Sequence, residues 1–187
     1  MLKKLILSVI VISALIGAGF GFAYKDDVSL ANSINKYHAA MDGKDYAGAY
    51  TLANRMAADG YLPAHTFLAG LYENGTGVLQ NIDIAVEQYK LAATAGDVTA
   101  QTYLAGLYLS GVGVQKDAIL AAHWLEKAAV KNSAKAQFEL GRLYQNGTLN
   151  TEDPYKARAL LTRASEQGVS EATIVLADMT SLDMGLR

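Results

Sequence analysis

The chain has 187 residues, of which 51% are apolar, so it can bury a substantial core. Its formal net charge is −2 and its 16 Lys and Arg residues are scattered, which gives no electrostatic reason to expect a nucleic-acid partner. Cysteine is absent, which excludes disulfides, thiolate metal sites and a cysteine nucleophile.

The N-terminal segment has the organisation of a secretory signal peptide. Two lysines precede an uncharged run of 18 residues that ends in small residues, with Gly21 and Ala23 at positions −3 and −1 for a cut before Tyr24. We therefore predict a signal peptide over 1–23 and a periplasmic or secreted location for the domain that follows, over 24–187. The run is also just long enough for an uncleaved inner-membrane anchor, with the rest facing the periplasm, and this alternative stays open.

A five-residue motif then returns at a fixed spacing of 36 residues. Its copies begin at Leu68, Leu104 and Leu140, and each ends in tyrosine. Self-similarity at this period is typical of stacked repeats. The spacing predicts full repeats at about 64–99, 100–135 and 136–171, after a degenerate pair at about 28–60.

Each repeat is predicted to form two helices with apolar faces of helical periodicity. In the first copy, the first helix has its face at Ala64, Leu68, Leu71 and Tyr72. The second helix has an alanine-rich face at Ala85, Tyr89, Ala92 and Ala93. Because alanine side chains are small, such faces allow neighbouring helices to approach closely.

The residues that begin and end these helices keep the same period. Left-handed C-terminal positions are predicted at Gly60, Gly75, Gly96, Gly111, Asn132, Gly147 and Gly168. N-caps are predicted for the second helices at Asn81, Asp117 and Asp153. With an additional helix at each end, about nine helices follow the signal. The predicted fold class is all-α, a right-handed superhelical α/α solenoid of about four helix pairs plus a terminal helix.

At this point the residues resemble the Sel-one-like repeats, which are relatives of the tetratricopeptide repeats. The second copy follows that pattern nearly throughout, at Ala100, Leu104, Tyr108, Gly111, Gly113, Val114, Asp117, Ala121, Ala128 and Ala129. The third copy departs from it, because Leu149 and Asn150 replace the second glycine and the valine of the loop.

The resemblance implies an adaptor that binds a protein or peptide on its concave face, either as an envelope regulator or as a host-interaction factor. A cysteine-rich subgroup resembles β-lactamases in its activity. A cell-wall or β-lactam hydrolase is therefore the alternative function, although this chain lacks the paired cysteines of that subgroup. We predict no enzymatic activity and no cofactor.

Analogy with tetratricopeptide repeats places the partner-binding groove on the first helices. Its predicted residues are Thr66, Glu73, Asn74, Thr102, Leu109, Phe138, Arg142, Gln145 and Asn146. These positions are mostly polar and neutral. We expect Arg142 to bind a carboxylate and Phe138 to fill an apolar pocket on a partner. The amides can pair with a peptide backbone or merely cap helix carbonyls, and both interpretations stay open.

Three further features are interpreted as structural. The histidines His38, His65 and His123 lie far apart in the repeat scheme, so no metal site is predicted. Trp124 is expected in the core. Gly70 and Gly106 fall in the middle of first helices, where close approach of the adjacent helix is the favoured explanation and close approach of a ligand is the other.

Overall fold

The computed structural model describes residues 27–149 and 153–183, so the predicted signal peptide over 1–23 and its cut before Tyr24 lie outside the described residues. The chain divides into two units, residues 1–35 and 36–187. In the described residues the regular elements are nine helices. They are α1 (Asp27–Asp42), α2 (Tyr46–Ala58), α3 (Ala64–Asn74), α4 (Ile82–Thr94), α5 (Val98–Ser110), α6 (Ala118–Val130), α7 (Ala134–Gln145), α8 (Pro154–Glu166) and α9 (Ser170–Asp183).

The second helices of the three repeats, α4, α6 and α8, begin at the predicted caps. The Asn81 side chain accepts a hydrogen bond from the Ile84 backbone N–H at 3.0 Å, and Asp117 accepts one from Leu120 at 2.8 Å. Asp153 caps α8 in the same way, and Pro154 is the first residue of that helix. Each cap satisfies a backbone N–H that would otherwise have no partner within the helix.

The predicted left-handed positions are also confirmed. All six glycines named above have positive φ, between 65° and 96°. Asn132, which stands where the other repeats have glycine, has a φ of 65°. An asparagine tolerates this conformation better than most residues, so the turn after α6 keeps the geometry of its counterparts.

The core of the second unit is a series of clusters rather than a single centre. One cluster joins α3, α4 and α5, the next joins α5, α6 and α7, and another joins α8 and α9. The closest backbone packing is between helices that follow each other in the chain. Such neighbour-to-neighbour burial is typical of a solenoid, in which no repeat can bury its apolar face alone.

Trp124 differs from the prediction because it is only half-buried. Its ring packs against both the α3–α5 cluster and the α5–α7 cluster, with the Lys127 Nζ 4.5 Å from the ring centroid. His123 is exposed beside it and does not enter the core. The indole therefore covers the junction of two clusters from the outside.

Among the described helices, none is long and apolar enough to cross a bilayer.

Candidate functional site

A groove of about 570 Å³ lies against the first helices of three successive repeats, α3, α5 and α7. It is lined by Glu73, Thr102, Tyr103, Gly106, Leu107, Leu109, Ser110, Val112, Leu125, Lys135 and Glu139. Three of these residues carry charge, two as carboxylates and one as an ammonium group. The groove is therefore apolar along much of its lining, with an excess of negative charge.

Tyr103 presents an aromatic face in the groove. Its side chain leaves α5 and remains 44% exposed, and the Lys135 Nζ from α7 lies 5.1 Å from the ring centroid. Tyr103 stacks on Tyr89 of α4, with ring centroids 5.4 Å apart and planes inclined by 13°. Since Tyr89 is only 2% exposed, a core residue fixes the position of the exposed ring.

Tyr89 also holds the carboxylate of Glu73. The Tyr89 hydroxyl donates a hydrogen bond to Glu73 Oε2 at 2.7 Å. Burial, followed by the hydrogen bond and the negative charge of Glu73, raises the pKa of Tyr89 far above its ordinary value. The phenol therefore remains a donor at any physiological pH. One buried side chain thus orients both an aromatic face and an acid of the groove.

Glu139 contributes a second carboxylate, from α7. It is half-buried, and within the described part of the chain no hydrogen bond or ion pair engages it. Lys135 stands one turn before it on the same helix, but the Lys135 ammonium group lies over Tyr103. Because the Glu139 carboxylate lines the groove and is not engaged by another described residue, it can accept a charge-assisted hydrogen bond from a ligand.

Gly106 lies in the middle of α5 and lines the groove. The favoured explanation for a glycine here, close approach of the adjacent helix, is wrong. A Cβ built on Gly106, or on its counterpart Gly70 in α3, would have no neighbouring atom of the described structure within 4 Å. Neither residue has positive φ, so backbone conformation does not require glycine either. Of the two explanations, close approach of a ligand is the one that remains for Gly106, which lines the groove.

The structure brings together three of the predicted groove residues. Glu73, Thr102 and Leu109 line the same cavity, although Thr102 is buried and its hydroxyl donates to the Val98 carbonyl at 2.9 Å. The other six lie outside the lining: Thr66, Asn74, Phe138, Arg142, Gln145 and Asn146. Their part in binding stays a prediction.

Several of these six have partners within the chain. Thr66 donates to the Asp97 side chain at 3.0 Å, and Asn74 donates to the Gly70 carbonyl at 2.8 Å, which is the capping interaction left open above. Asn146 accepts a hydrogen bond from the Thr148 hydroxyl at 2.5 Å. Arg142 is exposed, with its guanidinium 5.8 Å from the centroid of the Phe138 ring.

Sequence reasoning missed Tyr103 and Glu139. Both occupy the position just before the repeated leucine, and Phe67 is their counterpart in the first copy. This position changes from aromatic to acidic between copies while its neighbour stays leucine. That contrast between copies is the signal that points to Tyr103 and Glu139, although Phe67 lies outside the lining. Among the described residues, no group of three His, Asp or Glu side chains is arranged to hold a metal ion.

Comparisons with known proteins agree with this architecture. The Sel1 repeat family matches residues 62–97, 98–132 and 134–169. A protective antigen of uropathogenic Escherichia coli strains, which displays an SLR fold, is similar in structure, with a TM-score of 0.73 and 28% identity over 80% of this chain and 33% of that one. A Sel1 repeat protein from Oxalobacter formigenes gives a TM-score of 0.74 and 29% identity over 81% of this chain and 62% of that one.

The extent of these similarities is limited in two ways. The chain spans about one third of the first of these proteins and less than two thirds of the second. No curated protein matches the sequence. The matches confirm the repeat family and the α/α solenoid class that the residues predicted.

Proposed function

Because the chain belongs to the Sel1 repeat family, whose members generally bind proteins and are generally non-catalytic scaffolds, we propose that it holds an extended peptide segment of a partner protein in the groove of α3, α5 and α7. The groove is long enough to involve three repeats and is open to solvent. Its walls combine apolar side chains with a few charged groups, which suits a peptide side chain better than a folded surface.

The single observation that carries this proposal is that the open position of Gly106 lies in the groove lining, whereas the equally open Gly70 lies outside it. A glycine in the middle of a helix costs about 1 kcal/mol relative to alanine. In the described structure neither packing nor backbone conformation at Gly106 offsets that cost. Space kept clear for a ligand backbone supplies a reason, since a peptide can approach α5 closely only where no side chain stands.

We further propose that the chain works outside the cytoplasm, as an adaptor or regulator in the periplasm or beyond it. The support is the sequence of residues 1–23, with its basic start, apolar run and small residues before Tyr24. An envelope or secreted partner follows from that location. The hydrolase alternative gains no support from the groove, which holds no arrangement of nucleophile and base among its lining residues.

Blocking the groove tests the function. The experiment selects peptides from a random display library on the full chain and measures their binding by fluorescence anisotropy. Gly106→Leu adds a side chain at a position where a Cβ would meet no described atom within 4 Å, and it should not lower the melting temperature because leucine favours the helix. Gly70→Leu is the matched control, at the equivalent position outside the groove lining.

We expect Gly106→Leu to weaken peptide binding at least tenfold, while Gly70→Leu binds like the original chain. Failure to enrich any peptide would argue against a peptide-binding groove. Equal binding by both variants would also contradict the proposal, because the peptides would then contact another surface.

A further inference from the structure

We propose that the groove selects a peptide with a lysine or arginine side chain, whose cationic end rests on the Tyr103 ring in the place that Lys135 now occupies. The inference deepens the proposed function and rests on it. It names the chemistry of the partner, a basic peptide segment, and assigns Glu73 and Glu139 to the recognition of its charge.

The first argument is the lysine already present at the ring. The ammonium group of Lys135 lies 5.1 Å from the Tyr103 centroid, within the range of a cation–π interaction. Lys135 itself is exposed and stands in the first turn of α7, where the helix dipole disfavours positive charge. The chain's own cation is therefore held weakly, and a ligand cation can displace it into solvent.

The second argument is that the aromatic face and an acid are fixed in advance. Tyr89 stacks under Tyr103 and donates a hydrogen bond to Glu73, and it is itself 2% exposed. A ligand therefore does not have to order these two groups, which lowers the entropic cost of binding. If Tyr103 served only to cover the core, it would not require the Glu73 carboxylate to be held near it.

The third argument is the balance of charge. Glu73 and Glu139 line the groove against one ammonium group, and Glu139 has no described ion-pair or hydrogen-bond partner. Displacement of Lys135 from the ring leaves two carboxylates facing the ligand. An acidic peptide would meet repulsion from both, whereas a basic one is attracted by both.

The apolar part of the lining fits the same ligand. Leu109 and Val112 line the cavity with Tyr103, and Val112 is 45% exposed. Lysine and arginine carry long aliphatic stems that cover apolar surface while the charged end seeks polar groups. A groove whose lining combines apolar side chains with two carboxylates accommodates both parts of such a side chain.

The experiment uses five pools of labelled nonapeptides, with uncharged random flanks and a fixed central residue. The central residue is lysine, arginine, norleucine, citrulline or glutamate. Binding to the full chain is measured by anisotropy at low and at physiological salt. We expect the lysine and arginine pools to bind about tenfold more tightly than their uncharged counterparts, from the usual size of a cation–π contact together with a carboxylate.

Three variants assign the effect to named residues. Lys135→Gln should strengthen binding of the lysine pool roughly threefold, because the ring is vacated. Glu139→Gln should weaken it roughly threefold and leave the norleucine pool unchanged. Tyr103→Leu should reduce the preference for a cation to the part that the carboxylates of Glu73 and Glu139 supply, with circular dichroism to confirm the fold. Lys127→Gln, which removes a lysine from the ring of Trp124 outside the groove, and Glu166→Gln are the matched controls.

The outcomes separate this inference from the proposed function. Weaker binding of the lysine pool by Lys135→Gln would show that Lys135 does not compete with the ligand for the ring, and would overturn the inference. A preference for the glutamate pool that is lost in Lys135→Gln would overturn it as well, because Lys135 would then recognise an acid. Equal binding of all pools, still blocked by Gly106→Leu, would overturn it while the proposed function stands. Binding of no pool would contradict both.

Discussion

Gln101 and Gln137 occupy equivalent positions 36 residues apart, and both are buried. Each side-chain amide donates to a carbonyl of the preceding helix. Their oxygens differ: Gln137 Oε1 accepts a hydrogen bond from Gln167 at 2.7 Å, whereas Gln101 Oε1 has no partner among the described residues. The cause lies in Lys131, which replaces Gln167 in the repeat register and donates to the Gly96 carbonyl at 2.6 Å instead.

This difference predicts a stabilising substitution. Lys131→Gln should place an amide donor within reach of Gln101 and raise the free energy of unfolding by about 1 kcal/mol, the usual value of satisfying a buried polar atom. Urea denaturation measures the change, with Lys116→Gln, at an exposed lysine, as the control for the lost charge. A lower urea midpoint for Lys131→Gln than for the control would contradict the prediction. It would show that the hydrogen bond from Lys131 to the Gly96 carbonyl stabilises the fold more than a new bond to Gln101 does.

Tyr89 gives a prediction about pH. Its pKa is raised by burial and by Glu73, so the folded state keeps the phenol protonated where the unfolded chain releases the proton. Stability contributed by such a group is present below the unfolded pKa of about 10 and is lost as the pH rises above it. Melting temperature should therefore fall above pH 10, and the fall should be shallower in Tyr89→Phe. Parallel slopes for the two proteins would contradict this role.

At the scale of elements, the loop after a first helix packs against the second helix of the preceding repeat. Where the loop residue is small, the facing residues of that helix are large, and where the loop residue is large, they are small. A Cβ on Gly113 would overlap Ile82 Cγ2 and lie 3.0 Å from Val86 Cγ2. In the next repeat the equivalent residues are Leu149, Ala118 and Ala122. Leu149 packs against the cluster that contains Ala122. The departure from the family pattern at Leu149 is thus matched by smaller residues on the helix that faces it.

That exchange predicts a loss and its rescue. Leu149→Gly should lower the free energy of unfolding by about 2 kcal/mol, because it removes a half-buried side chain and leaves a cavity. Adding Ala118→Ile and Ala122→Val to this variant gives these three positions the residues of the equivalent positions around Gly113 and should restore part of the stability. Chemical denaturation of the single and triple variants tests both. A triple variant less stable than the single one would refute the exchange.

For the whole molecule, the repeats stack through contacts between successive helices. We propose that the N-terminal segment determines where the solenoid works. We expect mass spectrometry of the exported protein to show Tyr24 as its first residue, because Gly21 and Ala23 suit a signal peptidase. A chain that retains Met1 in the membrane fraction would support the anchored form instead. The groove and its ligand would be the same in either case.

The sequence determined the helices, their order and their ends. Periodicity of 36 residues, alanine-rich faces and capping residues act over a few positions along the chain, so Asn81 and Asn132 can be interpreted without tertiary information. These local signals placed α2 to α8 and the end helices α1 and α9. Analogy with tetratricopeptide repeats, rather than these local signals, suggested Glu73, Thr102 and Leu109 as groove residues, and all three line the cavity.

Only the tertiary structure decided which residues meet in the groove. Tyr103, Lys135 and Glu73 come from three repeats, and Tyr89 reaches two of them from within the core. Their meeting depends on the angle and spacing at which helix pairs stack, which the repeat pattern does not encode because every copy shares it. The same stacking leaves Gly106 open and places Arg142 outside the lining. Local chemistry thus determined the solenoid, and the packing between its repeats determined the candidate site.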